Sequence, residues 1–123
     1  MNTKTDKFIQ MWRAFNFNES EDAYTEFMTF LRGFRAVLRE QATVAGYKLH
    51  SFNKMHYECS AVLQEEETGA FAYISIPDVR FFRGEWSTNV LYRQMKHAKD
   101  WTGGANHFTT LDKLGENLKT LYR

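Results

Sequence analysis

Side chains able to take part in chemistry are concentrated between residues 93 and 107. This segment holds basic, acidic, aromatic and imidazole groups around two neighbouring glycines, and no apolar repeat runs through it. A polar, glycine-containing segment between two regular elements is typical of a binding or catalytic loop. The candidate residues in this segment are Arg93, Lys96, His97, Lys99, Asp100, Trp101, Asn106 and His107.

The histidines of this segment are the candidates for acid–base catalysis. Imidazole gains and loses a proton near neutral pH, so His97 or His107 would transfer protons in a small enzyme acting on a phosphate-bearing substrate. No HExxH, HxH or CxxC spacing is present, so the sequence predicts neither a metal site nor a bound cofactor. Because no nucleophile accompanies the histidines, catalysis is the alternative hypothesis. In that alternative the phosphate would be held by Arg93, Lys96 or Lys99.

Cys59 is the only cysteine of the chain. It alternates in phase with Met55, Tyr57 and Ala61 along a predicted strand, so we expect it to be buried and unreactive. A single cysteine excludes an internal disulfide and fits a reducing compartment. The first residues contain no apolar signal region, and no apolar run approaches membrane-spanning length. We therefore expect a cytoplasmic protein that does not contact a membrane.

A second candidate surface lies between residues 78 and 86. Arg80 and Arg83 flank a pair of phenylalanines, and Trp86 follows them. One interpretation is a loop that crosses the fold and anchors one phenylalanine in the core. The other is a basic, aromatic surface that stacks on bases or contacts a partner. Both interpretations stay open on the sequence alone.

Charge does not choose between nucleic acid and protein as the partner. Between residues 79 and 101, five basic residues oppose two acidic ones, which gives a local net charge of +3. The whole chain of 123 residues has a net charge of only +1. A dedicated nucleic-acid-binding protein is usually more basic, so such a role would depend on the local patch.

The apolar pattern predicts three helices. Apolar residues recur at helical spacing in two N-terminal stretches and one C-terminal stretch, which indicates amphipathic helices that bury one side. We expect Gly46 to end the second helix and Thr109 or Thr110 to cap the third. The three stripes lie within residues 8–15, 24–45 and 111–121.

Alternating apolar residues predict about four strands between the second and third helices. We expect a tight turn at Asn53-Lys54, and Pro77 should end the third strand. Short connections between strands favour an antiparallel meander. The sequence therefore predicts a single α+β domain over residues 1–123, with all three helices packed on one face of an antiparallel sheet. The predicted strands are residues 47–52, 55–64, 70–76 and 89–96.

Three segments of the chain resemble small uncharacterised proteins of phages and conjugative elements of Gram-positive bacteria. They read SFNKMHYECSAV, ISIPDVRFF and KDWTGGANHFTTL, and the resemblance covers roughly residues 24–115. Such proteins include inhibitors of host defence enzymes, among them anti-CRISPR proteins. The resemblance implies no catalytic residue, and it implies a binding role.

The leading hypothesis is therefore a non-enzymatic binding module. Its predicted contact surface combines the 78–86 loop with the 93–107 segment. The partner would be nucleic acid or a host protein that handles nucleic acid. The local charge of +3 favours nucleic acid, and the near-neutral whole chain favours a protein.

Overall fold

The structure is a computed structural model, and it describes residues 3–14, 23–79, 88–101 and 104–122. Two helices precede the strands, and a one-turn 3-10 helix leads into a short third helix. The elements are α1 (Thr3–Ala14), α2 (Ala23–Val44), β1 (Tyr47–Met55), β2 (Glu58–Glu65), β3 (Phe71–Ile76), β4 (Asn89–Met95), β5 (His107–Thr110), the 3-10 helix (Leu111–Lys113) and α3 (Leu114–Lys119).

The strands form one antiparallel meander in the order β1-β2-β3-β4-β5. The predicted α+β class is thus confirmed, with five strands in the sheet where about four were expected. The additional strand is β5, in which His107 pairs with Tyr92 and Phe108 pairs with Leu91. It has only four residues, too few for an alternating pattern to stand out from the polar segment before it.

The helices cover one face of the sheet because α2 presents a continuous aromatic side to it. Phe27, Phe30 and Phe34 recur at helical spacing and are fully buried. From α1, the Trp12 ring meets the rings of Phe30 and Phe34 edge-on, at centroid distances of 5.1 and 6.1 Å. We call the opposite face of the sheet the outer face. Its residues include Tyr73, which pairs with Arg93 on β4.

A buried glutamine joins the three helices. The Nε2 atom of Gln41 donates to the Oγ1 atom of Thr5 at 3.4 Å. Its Oε1 atom accepts a hydrogen bond from the N–H of Gly115 at 2.9 Å. A Cβ atom at Gly115 would lie 2.8 Å from the carbonyl oxygen of Gln41, so α3 can approach α2 this closely only with glycine there.

Two features of the first hairpin differ from the prediction. The turn is not at Asn53-Lys54, because β1 continues to Met55 and the chain reverses at His56 and Tyr57. Pairing also shifts by one residue between Leu49 and Ser51. Such a bulge exchanges the two sides of a strand. Phe52 consequently packs on the core, and Met55 is exposed instead of facing inward.

The caps of the helices were predicted with mixed success. Gly46 has φ of +80° directly after α2, a left-handed conformation that favours glycine, so this cap is confirmed. Thr110 precedes the 3-10 helix but makes no side-chain capping bond. Within the described ranges, no helix is long and apolar enough to cross a membrane.

Candidate functional site

Arg93, a predicted contact residue, lies beneath the surface of the outer face. Only 4% of its area is exposed. Its Nη2 atom donates to the backbone oxygen of Asp100 at 3.0 Å, and Nη1 donates to that of Gln94 at 3.3 Å. Its guanidinium also stacks on the Tyr73 ring. Arg93 therefore supports the segment that follows β4 and is not displayed to a partner.

The turn after β4 is shaped by two of the candidate residues. The Oδ2 atom of Asp100 accepts a hydrogen bond from the N–H of Lys96 at 2.9 Å. The Nδ1 atom of His97 accepts one from the N–H of Lys99 at 3.3 Å. These bonds close the turn locally and leave both lysine side chains exposed to solvent. Lys96 and Lys99 are thus the accessible charges of the predicted segment in the part of the chain that the structure describes.

Trp101 lies on the surface with one side covered. Half of its area is exposed, 50%, which confirms the expectation of partial exposure. Its indole meets the Tyr73 ring nearly edge-on, with 6.1 Å between centroids and 76° between planes. The contact fixes the tryptophan against the outer face while its other side remains accessible.

His97, Asp100 and His107 have separate partners. His97 and Asp100 hydrogen-bond within the turn after β4, whereas the His107 ring stacks on Tyr92 at 5.3 Å. The Tyr92 hydroxyl donates in turn to the Oδ1 atom of Asn117 at 3.3 Å, on the helix side of the sheet. Among the described residues, no three His, Cys, Asp or Glu side chains are grouped to hold a metal ion.

The remaining candidates are distributed differently. Asn106 is exposed just before β5. Arg80, Arg83 and Trp86 lie outside the described residues. Of the predicted 78–86 loop, the structure describes its beginning, where Val79 is buried and its N–H donates to the carbonyl of Tyr57 at 3.0 Å.

Cys59 has the environment that the sequence predicts. Its side chain is buried, and this burial raises the pKa of the thiol well above its usual range. A thiol that stays protonated is a poor nucleophile. Cys59 is therefore a core residue.

The structure also reveals an apolar groove that the sequence did not predict. The groove is open, has a volume of about 620 Å³ and lies on the outer face. Its floor follows one row of paired residues across three strands: Ser75 is opposite Leu91, and Leu91 is opposite Phe108. Tyr73 lines the same groove, so the groove adjoins the Trp101 contact.

Large apolar side chains at this groove are unusually exposed. Phe108 is 66% exposed and Met55 is 43% exposed, and both line the groove. Among the described lining residues, Glu58 is the one with an ionisable carboxylate. The described part of this surface thus combines an apolar floor with the carboxylate of Glu58 at its β2 side.

Comparisons with protein-family models, curated proteins and solved structures found no match to this chain. The groove and the adjoining turn are therefore the features from which a function can be inferred.

Proposed function

We propose that this protein is a non-enzymatic binding module that contacts a partner protein through the groove on the outer face of its sheet. The observation that carries the proposal is the exposure of Phe108, 66%, beside an apolar groove of about 620 Å³. Contiguous exposed apolar surface with a polar rim is characteristic of interaction sites. A half-exposed aromatic ring at the same face, Trp101, extends the surface with a residue type enriched in binding hot spots.

The charges at the groove favour a protein over nucleic acid. Phosphate groups would need basic side chains within reach, and the described lining instead contains the carboxylate of Glu58. Lys96 and Lys99 lie past the end of β4, whereas the groove involves Asn89 at the start of that strand. Arg93 is buried against Tyr73.

The resemblance to phage and conjugative-element proteins indicates which kind of partner this binding module would contact. We place the protein in the bacterial cytoplasm, where it would bind a host protein that handles nucleic acid and block its function, as anti-CRISPR inhibitors do. A binding module of this kind acts by occupying a surface, so it requires no catalytic group of its own.

Direct binding of single-stranded nucleic acid is the second candidate. The observation in its favour is the position of Trp101 next to Lys99, since exposed rings and neighbouring cations bind bases and phosphates. A fluorescence-anisotropy titration with mixed-sequence DNA and RNA at two salt concentrations tests it. Binding that weakens steeply with salt would support this candidate, and no binding at low salt would remove it.

An enzyme acting on a phosphate-bearing substrate has less geometric support. His97 and His107 would have to serve one substrate, yet the first hydrogen-bonds within the turn after β4 and the second stacks on Tyr92. We therefore retain catalysis only as the alternative that an activity screen would test.

Site-specific photo-crosslinking tests the leading proposal. Benzoylphenylalanine is introduced at Phe108 on the outer face and, as a matched control, at the exposed Lys7 on α1. Each protein is irradiated in lysate of a Gram-positive bacterium, and the adducts are identified by mass spectrometry. We expect a discrete protein adduct from position 108 that excess wild-type protein displaces. Equal adducts from both positions would contradict the proposal.

A further inference from the structure

We propose that the groove binds a partner segment in which a basic side chain lies two residues from a large apolar one. In this arrangement Glu58 pairs with the basic group, while Leu91 and Phe108 receive the apolar side chain. The inference rests on the proposed docking function and specifies the chemistry of the segment that docks.

The apolar half of the site is the floor formed by β3, β4 and β5. Leu91 is half-buried and stands between Ser75 and Phe108 in one row of paired residues. Neighbouring strands are about 4.8 Å apart, so this row extends over about 10 Å. That width accommodates one aromatic or branched aliphatic side chain. Phe108 stands at the end of the row and covers one side of such a guest.

The charged half of the site is Glu58 at the start of β2. Glu58 pairs with Met55, and both residues line the groove. Its side chain is half-buried, and within the described ranges no hydrogen bond or ion pair reaches its carboxylate. A ligand that carries a cation can form an ion pair with a carboxylate beside apolar surface. The attraction within this pair is strengthened because the bound ligand excludes water from it.

The separation of the two halves sets the spacing of the guest residues. The row that contains Leu91 meets β2 at Ser60, two strand spacings or about 10 Å away. Glu58 is two residues from Ser60, about 7 Å along the strand, so it lies about 12 Å from Leu91. In an extended segment, side chains two residues apart point the same way and lie about 7 Å apart. The long stem of lysine or arginine covers the remaining distance and packs along apolar surface while its charged end reaches Glu58.

A negatively charged ligand does not fit this arrangement. Its charge would face the Glu58 carboxylate across an apolar floor, where repulsion is poorly screened. Arg93 on β4 does not offer its charge to such a ligand, because its guanidinium is buried on Tyr73 and bound to backbone oxygens. The groove therefore selects for positive charge beside apolar bulk.

Three small probes of similar length test the inference on the whole protein. They are 4-phenylbutylamine, 4-phenylbutanol and 4-phenylbutyrate, which share a phenyl ring on a four-carbon chain and end in a cationic, a neutral and an anionic group. Each is titrated into ¹⁵N-labelled protein, and the amide shifts locate and quantify binding. We expect all three to perturb residues around Leu91 and Phe108, and the amine to bind about fivefold more tightly than the acid.

A matched pair of variants assigns the preference to Glu58. Glu58→Gln should reduce the amine-to-acid ratio of affinities to about one. Glu66→Gln removes the same charge from an exposed position in the β2–β3 loop and should leave the ratio as in the wild type. Higher salt should weaken binding of the amine and not of the alcohol, a readout that needs no variant.

The outcomes separate this inference from the proposed function. Equal binding of amine and acid in the groove would overturn the charge preference and leave the docking proposal standing. Probe binding outside the groove, or no binding by any probe, would overturn both. A preference for the acid would also overturn the inference, and it would favour the nucleic-acid candidate instead.

Discussion

The guanidinium of Arg93 lies over the ring of Tyr73, with 4.6 Å between its Cζ atom and the ring centroid. The same ring contacts Trp101 and lines the groove. Tyr73 thus connects a buried cation, an exposed indole and the proposed binding surface. The hydrogen bond from Arg93 to the backbone of Asp100 ties the turn after β4 to this unit. A substitution at Arg93 should therefore affect the stability of the fold more than the binding of a partner.

Replacing Arg93 by alanine should destabilise the protein by about 2–3 kcal/mol. The change removes a cation–π contact and two hydrogen bonds to backbone oxygens, and it leaves a gap under the turn. Urea unfolding followed by circular dichroism measures the difference. Lys96→Ala is the control, because this exposed side chain should change the free energy of unfolding by less than about 0.5 kcal/mol. Equal changes in the free energy of unfolding for the two substitutions would show that the contact between Arg93 and Tyr73 does not stabilise the fold.

Trp101→Ala should leave a well-folded protein. The indole loses one edge-on contact with Tyr73, worth about 0.5–1.5 kcal/mol beyond its buried area. Trp12 is the matched comparison, since it is 5% exposed, and Trp12→Ala should cost about 3–5 kcal/mol. Thermal melts of both variants check this. Trp101→Ala should also weaken binding of the protein captured from position 108. A strongly lowered melting temperature with binding retained would instead show that Trp101 is a core residue.

Much of the fold follows from local patterns that the sequence displays. Phe27 and Phe34 recur at the period of a helix, and Gly46 marks the end of α2 because a left-handed residue is needed there. The bulge near His50 could not be predicted in the same way. It depends on how β1 pairs with β2, and nothing in the alternation of β1 alone indicates that one residue is extra.

Glu65 should make the β2–β3 loop sensitive to acid. Its carboxylate accepts hydrogen bonds from the Thr68 hydroxyl and from the N–H groups of Glu67 and Thr68, and these lower its pKa. The stability that these hydrogen bonds give to the loop is fully present above the pKa of Glu65 in the unfolded chain, about 4.3. This stability is lost as pH falls through the lower pKa of Glu65 in the folded state. Amide shifts of Thr68 between neutral and acidic pH should report this loss.

Two variants make the pH experiment specific. Glu65→Gln should abolish the acid-dependent shift at Thr68, whereas Glu66→Gln removes a neighbouring charge and should preserve it. A shift that survives Glu65→Gln would mean that another group controls the loop.

The binding surface was harder to predict than the fold, and Arg93 and Phe108 show why. The sequence predicts Arg93 at the contact surface and does not single out Phe108, but the structure buries the arginine and exposes the phenylalanine. This difference depends on β5, because its pairing puts Phe108 on the outer face beside Leu91. It also depends on the turn after β4, which covers Arg93 through the backbone of Asp100. Neither the pairing of β5 nor the shape of this turn can be read from the alternation of apolar residues.

The most direct test of the docking proposal is the affinity of the Phe108→Ser variant for the protein captured by crosslinking from position 108. Phe108 is 66% exposed, so the substitution should leave the melting temperature close to that of the wild type. If the ring anchors the partner in the groove, calorimetric titration should show affinity reduced by about tenfold or more. Unchanged affinity in a folded variant would contradict the proposal that this groove is the binding surface.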